Sequence, residues 1–229
     1  MSEQPPSRQP PGEQPPETTP ALRLGVVVLA AGAGRRFGGA KLVARLEGRP
    51  VLQHVLDAVV AFGPAATIVV LSPSSAATDA LEAATIWRDE TRTRNLAPER
   101  GLSSSVQTGL AVARAAAPAL DGVFMVLGDQ PRLSPTVLRA LAAAAAHDPG
   151  SGSADRPSVS IIVPRYAEGG GANPALLLRA AWPLVDELSG DTGMARLIRD
   201  RPDLVRELPV PGSNPDVDTP DDLAALALR

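Results

Sequence analysis

Leu24-Gly25-Val26-Val27-Val28-Leu29-Ala30 is an unbroken apolar run, and Ala31-Gly32-Ala33-Gly34-Arg35-Arg36-Phe37-Gly38-Gly39-Ala40-Lys41 follows it directly. An apolar run without polar alternation, bounded by glycines, marks a strand buried on both faces, as in parallel sheets. The small residues after it let backbone N–H groups approach a ligand closely, and such groups bind phosphate well. Arg36 and Lys41 add fixed positive charge. Arg grips phosphate oxygens as a bidentate fork, and Lys acts as a point charge. A strand and loop of this kind suit a nucleoside triphosphate.

Two familiar phosphate-binding loops fit poorly. A dinucleotide fingerprint needs G-x-G-x-x-G, whereas this loop runs Gly32-x-Gly34-x-x-x-Gly38. That fingerprint also wants an acid at the end of the second strand, where this chain has Leu71-Ser72-Pro73. A P-loop should end in Gly-Lys-Ser/Thr, and here the ending is Gly39-Ala40-Lys41-Leu42.

Outward from this stretch, strands and helices alternate. Residues 67–71 (TIVVL), 122–127 (GVFMVL) and 159–164 (VSIIVP) are predicted strands, with 85–87 and 204–208 as weaker ones. Residues 51–61, 75–83, 103–116, 134–147, 192–200 and 220–228 are predicted helices, and 176–188 is expected to be mostly helical with Pro183 as an interruption. Residues 150–157 are expected to form a loop. This alternation implies an α/β domain with a mainly parallel sheet and right-handed crossovers. Ligands of such sheets bind beyond the carboxyl ends of the strands, which selects 31–41 and 128–132 as the loops of interest.

Composition narrows the chemistry. The 229 residues include no cysteine and two histidines, His54 and His147. Disulfides, cysteine nucleophiles and thiolate metal sites are thereby excluded, and a His-rich metal site is not expected. A net charge of −3 and 3% aromatic residues argue against a nucleic-acid partner. No apolar run approaches the ~20 residues of a membrane helix. Residues 1–20 carry seven prolines and read as a disordered tail without the features of a secretory signal. A cytoplasmic protein with one folded domain at 21–229 is expected. What remains is carboxylate, hydroxyl, backbone and Arg/Lys chemistry.

Three further segments carry candidates. Asp129, in Gly128-Asp129-Gln130-Pro131 at a strand's carboxyl end, is placed to hold Mg²⁺ against phosphates, since magnesium commonly uses one or two carboxylates plus phosphate oxygens. Ser103, Ser104 and Ser105 lie where a loop enters a helix and offer N–H groups and hydroxyls. In Asp216-Val217-Asp218-Thr219-Pro220-Asp221-Asp222, Thr219 and Asp222 have capping-box spacing, which leaves Asp216 and Asp218 freer to reach a metal.

Together these segments resemble the nucleotidyltransferase family of the molybdenum-cofactor pathway. LAAGAGRRFGGAK at 29–41 is similar to the superfamily signature L-A-A-G-x-G-x-R-M-G-x-x-K, with Phe37 in place of Met. Gly101-Leu102-Ser103-Ser104-Ser105, Gly128-Asp129-Gln130-Pro131, Asn173-Pro174-Ala175-Leu176, Leu188-Ser189-Gly190-Asp191-Thr192-Gly193 and DVDTPDDL follow in the family's order. Asn173 stands where the molybdopterin cytidylyltransferase-like branch more often has His.

The resemblance implies a Rossmann-like three-layer α/β/α sandwich with a mixed, mainly parallel sheet. It implies Mg²⁺-dependent transfer of CMP or GMP from CTP or GTP to the phosphate of molybdopterin, with pyrophosphate released and a molybdoenzyme as recipient of the product. By position, Leu29, Ala30, Ala31, Gly32 and Gly34 would line the base and ribose. Arg36 and Lys41 would grip the triphosphate, and Ser103, Ser104 and Ser105 would touch the nucleotide. Asp129 and Asp218 would hold the metal, and Asn173 and Asp191 would face the acceptor. Two other readings share the loop: an NAD(P)H-dependent oxidoreductase, opposed by the missing acid after the second strand, and a nucleotide- or cofactor-binding chaperone without turnover.

Overall fold

The computed structural model describes residues 22–228 apart from 33, 118, 147–158 and 192. The expected tail at 1–20 and loop at 150–157 lie outside the described residues. In chain order the elements are β1 (Leu24–Ala30), β2 (Arg45–Leu46), β3 (Arg49–Pro50), α1 (Val51–Phe62), β4 (Ala66–Leu71), α2 (Ala76–Ala84), β5 (Thr91–Arg94) and α3 (Leu102–Ala116). They continue with β6 (Gly122–Leu127), α4 (Pro135–Ala146), β7 (Ile161–Tyr166), β8 (Ala175–Leu178), α5 (Trp182–Val185), α6 (Gly193–Asp200), β9 (Val205–Val210) and α7 (Pro220–Ala227).

The main sheet has seven strands in the order β5-β4-β1-β6-β8-β7-β9. Strands β5, β4, β1 and β6 are mutually parallel, and β9 is parallel to β7. Only β8 runs against its neighbours β6 and β7. The sheet is therefore mixed and mainly parallel, and helices cover both faces. All seven β1 residues are buried because the strand is central. Val26 and Val28 face the core under α1 and α4, while Val27 and Leu29 face the core under α3, α5 and α6.

The chain winds from β1 to β4 and β5 on one side, then returns to place β6 on the other side of β1. This reversal opens a crevice beyond the carboxyl ends of β1 and β6. A third, small apolar cluster joins Leu46 of β2, Val217 and Leu226 of α7, with Phe37 packed against it. It ties the loop after β1 to the segment that carries Asp218. The capping box at Thr219 is formed in both directions, with Asp222 N–H donating to Thr219 Oγ1 and Thr219 N–H donating to Asp222 Oδ2.

Two expected elements fall elsewhere. Thr85–Trp87 is not a strand: Thr85 caps α2 by donating its hydroxyl to Leu81 O, and the Trp87 indole donates to Glu82 O. The edge strand is instead Thr91–Arg94, a polar TRTR segment whose Arg92 and Arg94 pair with Glu82. An edge strand flanked by charge lacks the apolar signature of a buried one. The expected helix at 176–188 begins with strand β8, whose short apolar run is buried between β6 and β7. Helix remains only as a 3₁₀ turn at Arg179–Ala181 and as α5, where Pro183 sits in the first turn. Proline is tolerated there because the first-turn N–H groups have no intrahelical partner.

Gly109 of α3 lies against Val27 and Val70, and a Cβ there would come within 2.9 Å of Val70 Cγ2 and closer still to Val27. Gly109→Ala is therefore expected to lose about 1–3 kcal/mol through overpacking. This outweighs the ~1 kcal/mol gain in helix propensity. Urea unfolding measures the difference; a variant as stable as the wild type would show that α3 shifts outward at no cost.

Candidate active site

The parallel register of β1 and β6 sets Leu29 beside Leu127. The loops leaving these two strands therefore begin side by side. A cavity of about 690 Å³ lies over them, lined from the first loop by Ala31, Gly32, Gly34, Arg36 and Lys41 and from the second by Asp129. The first loop turns sharply: Phe37 N–H and Gly39 N–H both donate to Gly34 O. Gly34 has φ +56°, and a Cβ on it would lie 2.9 Å from Gly39 O, so the turn needs glycine there. Nothing lies within 4 Å of a Cβ built on Gly32, so this position leaves open space on the cavity side.

Lys41 starts a 3₁₀ turn and is buried. Its Nζ donates to Asp129 Oδ2 at 2.5 Å and to Asp218 Oδ1 at 3.1 Å. Arg36, whose side chain is exposed, donates to the other oxygen of Asp218 at 3.1 Å. Burial alone would lower the Lys41 pKa, but the adjacent Asp129 and Asp218 carboxylates more than offset it and hold the ammonium above its ordinary value. The Asp129 Oδ1 atom is buried without a hydrogen-bond partner.

Behind this centre lies a polar layer. Gln130 Nε2 donates to Asp216 Oδ1 at 2.8 Å and to Asn214 O at 3.3 Å, and Asn214 Nδ2 donates back to Gln130 Oε1 at 2.9 Å. Val217 N–H donates to Asp129 O at 2.9 Å. The β6 loop and the 214–218 segment are thus laced together. Burial, and then the nearby negative charge of Asp129 and Asp218, push the Asp216 carboxyl above the usual carboxylate range, against the opposing hydrogen bond from Gln130.

Of the residues singled out in the sequence, Leu29, Ala31, Gly32, Gly34, Arg36, Lys41, Ser105, Asp129, Asp191 and Asp218 line the cavity. Ala30 packs in the core under α1 and α4. Ser103 donates its N–H to Gly190 O. The Ser104 hydroxyl donates to Gly101 O at 2.8 Å and accepts from Asn95 Nδ2. Asn173 lies in a small apolar cleft that shares Leu29, Leu102 and Leu127 with the main cavity and adds Met125, Met194 and Ile198. The sequence reading gave no role to Gln130 or Glu99. Gln130 was visible as the residue after the strand-end Asp, but its partner segment is far away in sequence; nothing local marked Glu99 in Pro98-Glu99-Arg100.

A divalent cation fits the donor set. Asp129 and Asp218 already converge on one cation, the Lys41 ammonium, and Asp129 keeps a buried oxygen free. Among the described residues no group of three or more metal-ligating side chains is gathered. Such a cation would therefore be shared between one or two carboxylates and the oxygens of a ligand, which is how magnesium is usually held.

A crevice at the switch point of a mainly parallel sheet, floored by a glycine loop, two cations and two convergent carboxylates, defines an α/β protein built to bind a nucleotide's phosphates. Comparison with known proteins places it more closely. Residues 26–206 match the family of MobA-like NTP transferase domains, and the chain belongs to this family of nucleotidyltransferases. It is similar to the crystal structure of Rv0371c from Mycobacterium tuberculosis H37Rv, with 31% identity, 92% of this chain and 100% of that one covered, and a TM-score of 0.74. A structure of Rv0371c in complex with manganese is also similar, with 28% identity, 90% and 98% coverage, and a TM-score of 0.68. The bifunctional protein GlmU of Solibacter usitatus is 35% identical over 137 residues, which cover 56% of this chain and 27% of GlmU. The chain thus spans about a quarter of the length of the GlmU relatives it matches.

Asp216→Asn tests the electrostatics of the centre. A carboxyl whose folded pKa is raised is penalised when ionised, so the penalty is present at neutral pH and disappears as pH falls through the folded pKa. The variant keeps an oxygen for Gln130 and is expected to melt at a higher temperature at pH 7.5. The gain should shrink as the buffer approaches about pH 4. Melting curves across this range check it; equal melting temperatures at pH 7.5 would show that Gln130 and Lys41 fully compensate the charge.

Proposed function

We propose that this nucleotidyltransferase moves CMP, or GMP, from CTP or GTP to the phosphate of molybdopterin, releasing pyrophosphate with Mg²⁺ as cofactor. The observation that carries the reading is Lys41, held between Asp129 and Asp218 on the floor of the nucleotide-sized cavity. In the reaction an acceptor phosphate oxygen bonds to the α-phosphorus as the bond to the β-phosphate oxygen breaks. The attacking oxygen is already anionic, so no strong general base is needed, and a site without histidine or cysteine suffices. Catalysis of this kind rests on positioning and charge neutralisation.

The residues divide this work. Leu29, Ala31, Gly32 and Gly34 line the base and ribose. Lys41 stabilises charge that grows on the phosphoryl oxygens, and the exposed Arg36 holds the outer phosphates. Ser105, whose oxygen accepts from Asn95 Nδ2 at 2.9 Å, touches the nucleotide, and Ser103 and Ser104 shape the helix entry beside it. Asp129 and Asp218 would hold Mg²⁺, which neutralises phosphate charge when bound. Asp191 and Asn173 flank the side from which the acceptor enters, and a molybdoenzyme would take the product. A cytoplasmic location, where nucleoside triphosphates are supplied, belongs to this reading. Among the described residues no helix is long and apolar enough to cross a membrane.

The deciding experiment is a nucleotide panel with Mg²⁺ and molybdopterin, read as pyrophosphate release. Release with CTP or GTP that depends on molybdopterin supports the proposal, and release with neither rejects it. In the same assay Lys41→Ala is expected to lose on the order of 10²–10³ in rate. Asp129→Asn is expected to lower turnover and weaken the Mg²⁺ dependence, so an unchanged Mg²⁺ titration would remove Asp129 from the metal site.

A further inference from the structure

The cavity has a second charged wall. Glu99 and Asp191 line it, and among the described residues neither carboxylate has a hydrogen bond or an ion pair, with Arg36 and Lys41 or otherwise. They come from two segments that pack together, since Ser103 N–H donates to Gly190 O at 3.1 Å. Asp191 lies against Gly101, two residues before α6, and α6 supplies Met194, Ala195 and Ile198 to the apolar acceptor-side cleft. Glu99 lies in the 3₁₀ turn Pro98–Arg100 between β5 and α3, whose closing residue is Gly101.

That turn is held firmly. Arg100 N–H donates to Ala97 O at 3.1 Å and Gly101 N–H donates to Pro98 O at 3.0 Å. Asn95 is buried and spans the turn: its Oδ1 accepts from Ala97 N–H at 3.0 Å, and its Nδ2 donates to the hydroxyl oxygens of Ser104 and Ser105. A carboxylate displayed from so ordered a turn, facing a cavity and left without a partner, has a geometry suited to a ligand.

The ligand end that meets Glu99 is not a phosphate, because like charges repel. Leu29, Ala31 and Leu102 give the same cavity an apolar share of its lining. This suits a nucleobase ring. A carboxylate accepts hydrogen bonds and cannot donate them, so it favours a base edge that presents an amino group and disfavours one that presents a carbonyl.

We infer that Glu99 is a specificity-determining residue that accepts a hydrogen bond from the exocyclic amino group of the nucleobase and excludes uracil nucleotides. The inference rests on the nucleotide reading proposed above and adds to it the residue that selects the base. Cytosine offers N4 to this carboxylate, whereas uracil would set its O4 against it.

Isothermal titration of CTP, UTP and dCTP with Mg²⁺, without acceptor, tests this on wild type, Glu99→Gln and Glu99→Ala. The exposed position of Glu99 leaves both variants free to fold, which their melting curves check. The wild type should prefer CTP to UTP, and both variants should lower that preference by about tenfold or more. The ratio of CTP to dCTP affinity should stay constant. Simple loss of a negative charge would strengthen all three nucleotides alike and leave the ratios unchanged, which would overturn the assignment. A wild type that binds CTP and UTP equally would also overturn it, as would a collapse of the CTP to dCTP ratio, which would make Glu99 a ribose contact. A wild type that binds no nucleotide would reject the nucleotide reading itself and the Glu99 assignment with it.

Discussion

The pairing of β1 with β6 governs the site. Leu29 faces Leu127 across the central parallel pair, so β1 and β6 end side by side and the two loops cannot separate at their start without breaking the ladder. Gly128 N–H donates to Leu29 O at 3.0 Å, which extends the pairing one residue beyond the strand. A Cβ on Gly128 would lie 3.1 Å from the same carbonyl, so the close approach uses the missing side chain. Lys41 arrives from one loop and Asp129 from the other at hydrogen-bonding distance as a consequence. A register slip of one residue would turn every β1 side chain to the opposite core and part these groups at the same time.

The third member of the centre is placed by different forces. Asp218 comes from the far end of the chain, and no strand pairing brings it in. Val217 is fully buried with Leu46 and Leu226, and its N–H bonds the Asp129 carbonyl. The capping box then fixes where α7 starts, one residue after Thr219. Hydrophobic burial sets the depth of the segment, the backbone hydrogen bond sets its register against β6, and the cap sets its direction. The Gln130 and Asn214 amides join these elements from beneath. A polar layer of this kind resists distortion only while its groups are paired.

How much of this was legible followed the physical range of each signal. β1, β4 and β6 are central and, apart from Thr67, without polar side chains, so their sequences announced them. The edge strand Thr91–Arg94 gains its stability from Arg–Glu82 pairs and one neighbouring strand, and its polar sequence hid it. β8 is four residues long, too short for a periodicity to separate strand from helix, and its reversed direction is set by the neighbours it joins. At the site, the glycine loop, Lys41 and Asp129 were readable because strand ends are where such sheets bind ligands. That Ser104 would serve the helix entry and Ser105 the cavity was not readable. Consecutive helical residues point about 100° apart, and which one faces the ligand depends on how α3 is rotated against β1 and β4. Gly109 fixes that rotation by letting Val27 and Val70 come close.

The charge balance then explains why a cation belongs to the proposed chemistry. The whole chain carries −3, of which Glu3, Glu13, Glu17 and Arg8 account for −2, leaving −1 for residues 21–229. No global field draws a polyphosphate in, so attraction must be local. Yet among the described lining residues Asp129, Asp218, Glu99 and Asp191 oppose only Arg36 and Lys41, a surplus of two negative charges. Lys41 is moreover engaged by two carboxylates, so its charge is largely spent inside the protein. A bare triphosphate would meet net repulsion at short range and in a partly desolvated site, where such repulsion is strong. A triphosphate that brings a divalent cation, as in the proposed reaction, would change the sign of this encounter. The carboxylates would then have a harder and more highly charged partner than the ammonium, and Lys41 would be left to the phosphate oxygens. Lys41 and the two carboxylates thus orient one another in the cavity where the proposed ligands would separate them.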